Sequence, residues 1–306
     1  MKVVHLEGGE YPDCIVKHLG FDKFSEPSDA DSVLFWGWNS AFNEDLKREY
    51  RNYKKKFFLD TASPTAFYSG PDIVETFKYF DGVYTICPYT SDILSNNGIK
   101  GTAVCFPVPE ECLDVQEEKV YDAIYYGQIH SPKYSVLLNA LSNFNYRFCS
   151  IANGAFSELI TDFGVTTQEK WKLLAKSRCS VGLNLVFPKA GHLQHADQYK
   201  KYVSKGGSEA LFSSEVPQMK TRMVEAAACG TLMLLYRDGY NVVENWFTSD
   251  KHFLYFSNQE ELHARIQDIR DNYDKYLPIV KAAKDQVKQY TSRNLFNKMK
   301  WDSKHG

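Results

Sequence analysis

Lys220-Thr221-Arg222-Met223-Val224-Glu225-Ala226-Ala227-Ala228-Cys229-Gly230-Thr231, with Leu232-Met233-Leu234-Leu235-Tyr236 behind it, joins a short helix to a buried strand through one glycine. Met219 to Ala228 reads as the helix, Gly230 as its stop, and Thr231 to Tyr236 as the strand. The same unit recurs in both directions. Upstream lie Val3–Leu6, Val33–Trp36, Phe57–Leu59, Val83–Ile86 and Ala103–Phe106, then Ala123–Tyr126, Tyr146–Phe148 and Ser180–Phe187, with helical stretches between them. Downstream, Leu262, Ile266, Ile269, Tyr273 and Leu277 recur at helical spacing. They predict one amphipathic helix ended by Pro278, and Val280, Ala283, Val287 and Tyr290 predict another. Strand–helix alternation of this kind implies an α/β fold with mostly parallel sheets covered on both faces.

The pattern breaks once, at Pro107, Pro109 and the acidic run Glu110, Glu111, Asp114, Glu117 and Glu118. A chain of 306 residues is long enough for two domains. The expected division is therefore 1–117 and 118–306, each Rossmann-like. In the second half Thr166 and Glu169 form a capping-box pattern that opens a helix through Trp171 and Leu174. Residues 188–217 lack a period and are expected to form a loop, with Gly191, Gly206 and Gly207 as its flexible points.

Lys plus Arg is 36 and Asp plus Glu is 38, for a formal charge of -2, so no basic surplus calls for a nucleic-acid partner. The lysines near residues 281–304 read as a solvated helix face. Aromatics reach 15%, most of them suited to core filling. The 7 cysteines show no C-x-x-C pair and read as reduced thiols. The first residues run straight into a strand, and no apolar run nears the about 18 residues of a membrane span. A soluble, cytoplasmic chain without a membrane span is the expectation.

The run Arg222-Met223-Val224-Glu225-Ala226-Ala227-Ala228-Cys229-Gly230 resembles the R-x-x-E-x-x-A-C-G segment of GT-B glycosyltransferases, above all the spore-maturation-protein-like group and more weakly the retaining family 4 enzymes. Ser177–Asn184 is similar to that group's strand ending in Leu-Asn, and Tyr290-Thr291-Ser292-Arg293 to its terminal element. The likeness is good over 120–300 and mainly topological over 1–118. It implies two Rossmann-like domains facing each other across a cleft, an acceptor-side domain followed by a nucleotide-sugar domain. It also implies a metal-independent hexosyl- or pentosyltransferase that uses a nucleotide-diphosphate sugar as co-substrate, with no further cofactor and with retention.

Physical chemistry gives the motif residues concrete tasks. A helix N-terminus at 218–221 gathers N–H groups and positive dipole, so Lys220, Thr221 and Arg222 are candidates for holding a diphosphate. Glu225 either accepts from a ribose diol or is a buried structural glutamate. Gly127, Gln128 and Lys133 occupy the place of the family's G-R-x-x-x-x-K, with Gln128 where the arginine stands; Lys133, like Arg222, would stabilise the leaving diphosphate. Pro217 stands where the family 4 pattern has its first glutamate. Gly8 and Gly9 let the backbone approach a phosphate or simply form a tight turn. Asp60, at a strand end, is a candidate catalytic acid or acceptor contact, or a turn residue.

His192, His195 and Tyr199 are candidate acceptor contacts. The H-x-x-H-x-D pattern of His192, His195 and Asp197 is not read as a metal site, and Asp29-Ala30-Asp31 is read as a turn. The acceptor is a glycan, a small molecule or modified DNA. The DNA reading rests on a similar E-x-x-A-C-G-T run and L-E-G-x-G start in bacteriophage DNA α-glucosyltransferases, which would make the protein a DNA-modifying enzyme acting on hydroxylated bases. A third reading is a catalytically weak nucleotide-binding module.

Overall fold

A computed structural model of the chain describes residues 2–5, 32–65, 72–129, 131–150, 157–188 and 211–305. The strands are β1 (Lys2–His5), β2 (Ser32–Trp36), β3 (Lys55–Asp60), β4 (Gly82–Thr85), β5 (Gly101–Ala103), β6 (Tyr121–Tyr126) and β7 (Tyr146–Ser150). They continue as β8 (Asp162–Phe163), β9 (Ser177–Gly182), β10 (Leu185–Val186), β11 (Val216–Pro217), β12 (Leu232–Tyr236) and β13 (Phe253–Phe256). The described α-helices are α1 (Trp38–Phe42), α2 (Glu44–Glu49), α3 (Ile73–Phe77), α4 (Pro88–Asn96) and α5 (Pro132–Leu138). Then come α6 (Thr167–Ala175), α7 (Thr221–Ala228), α8 (Gln259–Asp271), α9 (Leu277–Val287) and α10 (Ser292–His305).

The chain forms two compact units. Unit 1 comprises Met1–Phe106, Leu185–Met219 and Ser292–Gly306; unit 2 comprises Pro107–Asn184 and Lys220–Thr291. This is not the linear split expected at 117/118, because burial assigns segments irrespective of their place in the chain. Cys112, upstream of that point, is fully buried beside Cys229 at the end of α7. Leu295, Phe296 and Met299 of α10 are packed with Leu34, Trp36 and Leu59 of the first sheet.

In unit 1 the strands lie in the order β1-β2-β3-β4-β5, with every pair parallel. β2 shows why both faces must be covered: Val33 and Phe35 enter one core cluster, Leu34 and Trp36 the other. Leu211 and Val216, from the stretch expected as a loop, are buried in the first of these clusters. Val216–Pro217 pairs antiparallel with Leu185–Val186. The apolar run expected as one strand over 180–187 is thus two strands in two units, divided after Asn184.

In unit 2 the order is β13-β12-β9-β6-β7-β8, again parallel throughout. The capping box on α6 is present, Thr166 Oγ1 accepting from the Glu169 N–H and the Glu169 carboxylate from the Thr166 N–H. The long helix expected to end at Pro278 is instead α8, a short 3-10 turn and α9. Pro278 lies in the first turn of α9, where its missing N–H costs nothing. Lys119 donates to the carbonyls of Ala175, Ser177 and Gly230 at 2.7, 2.9 and 2.8 Å, tying the ends of α6 and α7 together. The six cysteines of the described residues are buried and free, in keeping with the reduced thiols expected. Among the described residues no helix is long and apolar enough to cross a membrane.

Candidate functional site

The strand order of unit 2 reverses at β6. The chain goes from β6 to β7 on one side and then returns to place β9 on the other. Loops leaving neighbouring strands at such a reversal part to opposite faces, so the carboxyl ends of β6 and β9 are where this kind of sheet receives ligands. The helix before β12, α7, runs antiparallel to its strand and brings its N-terminus to that same edge.

β6 delivers Gly127 there with φ +136°, a conformation that L side chains rarely adopt. The glycine is needed twice over. A Cβ at this position would lie 2.6 Å from Arg222 Nη1 and 2.7 Å from its Cζ, so the guanidinium packs directly on the Gly127 backbone. Arg222 also lies over the Tyr125 ring, with Cζ 5.2 Å from the centroid. Gly127 N–H donates to the Cys149 carbonyl at 3.0 Å, and Tyr125 Oη donates to the Gln128 carbonyl at 3.2 Å. Gln128 thus contributes a backbone contact to the framework that supports Arg222.

The N-cap of α7 is Lys220, whose side chain supplies no acceptor to the helix, and the first turn contains no acid. The helix dipole and the Lys220 and Arg222 cations therefore act in the same direction at this end. Burial, and to a smaller extent repulsion by Arg222, lowers the Lys220 ammonium to about 7. An anion beside Thr221 would relieve both effects. Lys133 sits in the first turn of α5, its N–H donating to Ser131 Oγ at 3.3 Å. Its Nζ is 5.4 Å from the centroid of Tyr236, the last residue of β12.

Glu225, in the second turn of α7, is wholly buried. Its Oε1 accepts from Lys170 Nζ at 2.6 Å and Trp171 Nε1 at 2.8 Å, while its Oε2 has no hydrogen-bond partner. Burial works against the Lys170 charge, but attraction to Glu225 and Tyr126 outweighs it and the pKa ends raised. The Tyr126 ring lies 4.6 Å from Lys170 Nζ. Lys170 and Trp171 were not among the expected site residues. Their sequence signal was only a helix start and an apolar position.

Asp60 stands at the carboxyl end of β3 in unit 1, 1% exposed. Its Oδ1 accepts from the N–H groups of Ala62 and Ser63 at 3.0 Å each, and its Oδ2 accepts from Thr85 Oγ1 at 3.0 Å. Burial pushes its carboxyl up, and these bonds pull it back only in part. Both oxygens are occupied in forming the turn. Gly8, Gly9, His192, His195 and Tyr199 lie outside the described residues, as do Asp197 and Asp29-Ala30-Asp31.

Residues 164–299 match a family model described as glycosyl transferase-like. No curated protein sequence matches the chain. Among solved structures, the sucrose-phosphate synthase of Thermosynechococcus elongatus is similar at 10% identity over 90% of this chain and 73% of that one, with TM-score 0.58. HepE of Anabaena in complex with UDP-glucose is similar at 12% identity over 89% and 79%, TM-score 0.56. The pneumococcal O-GlcNAc transferase GtfA in complex with UDP and GlcNAc is similar at 6% identity over 90% and 57%, TM-score 0.55. The chain has the α/β fold of GT-B glycosyltransferases, and its residues 164–299 carry a glycosyl transferase-like sequence.

Proposed function

We propose that the protein is a glycosyltransferase that takes its sugar from a nucleoside-diphosphate donor, with UDP as the nucleotide. The observation that carries this reading is the Arg222 guanidinium seated on Gly127 beside the acid-free first turn of α7. Donors aimed at a diphosphate stabilise it most as negative charge grows on the departing group. In this reading Lys220, Thr221 and Arg222 bind the diphosphate, Lys133 responds to the charge on the leaving group, and Glu225 Oε2 accepts from a ribose hydroxyl. UDP and UDP-sugars in the similar structures support the choice of nucleotide. The Glu225 motif supports a place near the spore-maturation-like enzymes, and with them retention at the transferred carbon.

Calorimetric titration with UDP, followed by a panel of UDP-sugars and a search for transfer products, tests the reading. UDP binding with sugar transfer is expected. UDP bound with neither transfer nor donor hydrolysis would leave a nucleotide-binding module, and a steeply salt-dependent affinity for DNA would move the acceptor to modified DNA. No affinity for any nucleoside diphosphate would end the proposal.

A further inference from the structure

Asn184 is wholly buried, yet neither its amide oxygen nor its amide nitrogen has a hydrogen-bond partner. A primary amide desolvated with all its capacity unused is costly, and folded proteins rarely leave one that way without a use for it. Its place in the fold indicates the use. A Cβ added to Gly182, the last residue of β9, would lie 2.6 Å from Leu235 Cδ2 and 3.8 Å from the Sδ of Met223 in the first turn of α7. β9 ends at Gly182, and Asn184 lies two residues beyond it in the link to β10. β9 runs parallel to β12, so this link leaves the sheet at its carboxyl edge, the edge to which α7 brings its N-terminus.

We infer that Asn184 is a specificity-determining contact for the sugar of the donor. The inference rests on the reading of the site as one for a nucleoside-diphosphate sugar, and the order of groups along α7 then assigns the subsite. Glu225, one turn inside the helix, is on the ribose side; the N-terminus with Lys220 and Arg222 takes the diphosphate; the sugar follows on the outer side, where the link after β9 carries Asn184. The chemistry agrees. A phosphate only accepts and would leave the amide oxygen without a donor, whereas neighbouring sugar hydroxyls both donate and accept. Asn184 therefore reads hydroxyl pattern and contributes nothing to the diphosphate.

The test compares UDP with UDP-glucose and UDP-galactose on the full chain, wild type against Asn184→Leu and Asn184→Ala. Affinity for UDP is expected to stay within about twofold, while the preferred UDP-sugar loses about tenfold or more, with KM following. Discrimination between the two sugars should collapse. Asn184→Leu, close in shape and without the unsatisfied amide, should unfold at no lower a temperature than the wild type when unliganded. Equal losses for UDP and UDP-sugar, or no loss for either, would overturn the assignment. So would a marked fall in the unliganded melting temperature of Asn184→Leu, which would mean that the amide is bonded within the free protein. A wild type that binds neither UDP nor the sugars would instead overturn the reading of the site, and this inference with it.

Discussion

Asp60 and Glu225 are both buried carboxylates, one at the carboxyl end of β3 and the other in the second turn of α7. Asp60 has its two oxygens engaged by Ala62, Ser63 and Thr85, and Gln218 closes over the same turn through the Ala62 and Ser63 carbonyls. Glu225 has one oxygen engaged and one left over. The sheets explain the contrast. Among the described strands of unit 1 the order runs in one direction, so neighbouring loops follow one another and bond together. In unit 2 it reverses at β6, the loops part, and Glu225 keeps one oxygen without a partner. Burial alone does not separate the two carboxylates; unused bonding capacity beside a topological reversal does.

The largest test of this contrast removes the counter-charge that only Glu225 has. Lys170→Met should lower the unfolding free energy by about 3–5 kcal/mol, since it leaves a buried carboxylate unpaired, and adding Glu225→Leu should recover most of the loss. Urea denaturation measures both. A loss under about 1 kcal/mol would place the pair in water, as for a surface salt bridge, and erase the contrast.

Asp60→Ala should cost about 2–3 kcal/mol, because it strands the N–H groups of its own turn, while UDP affinity stays unchanged. A severalfold loss of UDP affinity in the folded variant would bring Asp60 into the site and break the comparison from the other side. Gly127→Ala should cost about 1–3 kcal/mol through a backbone that alanine rarely adopts. It should also displace Arg222, so UDP affinity should fall with stability. Wild-type affinity in that variant would release Arg222 from the nucleotide.

Lys220 supplies the smallest effect. Burial and Arg222 hold its pKa near about 7, against an ordinary value of about 10.4. The folded state therefore binds fewer protons than the unfolded state between those values. This group's share of stability rises with pH through that window and is lowest at and below pH 7. A bound diphosphate favours the charged amine, so UDP binding should take up a proton above pH 7. Its affinity should weaken as pH rises to about 9, by at most about tenfold for each unit by which the diphosphate raises the amine's pKa. Calorimetry in buffers of different ionisation enthalpy detects the proton. A pH dependence identical in Lys220→Met would exclude this lysine.

What the sequence determined by itself is the part written in local periods and stops. The alternation of strands and helices, the Thr166–Glu169 cap, the Gly230 turn and the helix-to-strand run ending at Tyr236 all depend on neighbours within a turn or two. Among the described residues the cap, the Gly230 turn and the run ending at Tyr236 are present within two residues of the expected place. Glu225, Arg222 and Gly127 were recognisable as motif positions for the same reason. Their relations were not: Trp171 meets Glu225 across 54 positions, and Arg222 meets Gly127 from a different strand–helix unit. Only the tertiary structure decided that Leu185–Val186 leaves the sheet of Ser177–Gly182, that Pro278 begins a helix rather than ends one, and that Asn184 is buried without a partner. Periodicity reports which face of an element is apolar. Which polar atoms find partners depends on how separate elements pack, because hydrogen bonds and ion pairs form only at contact distance.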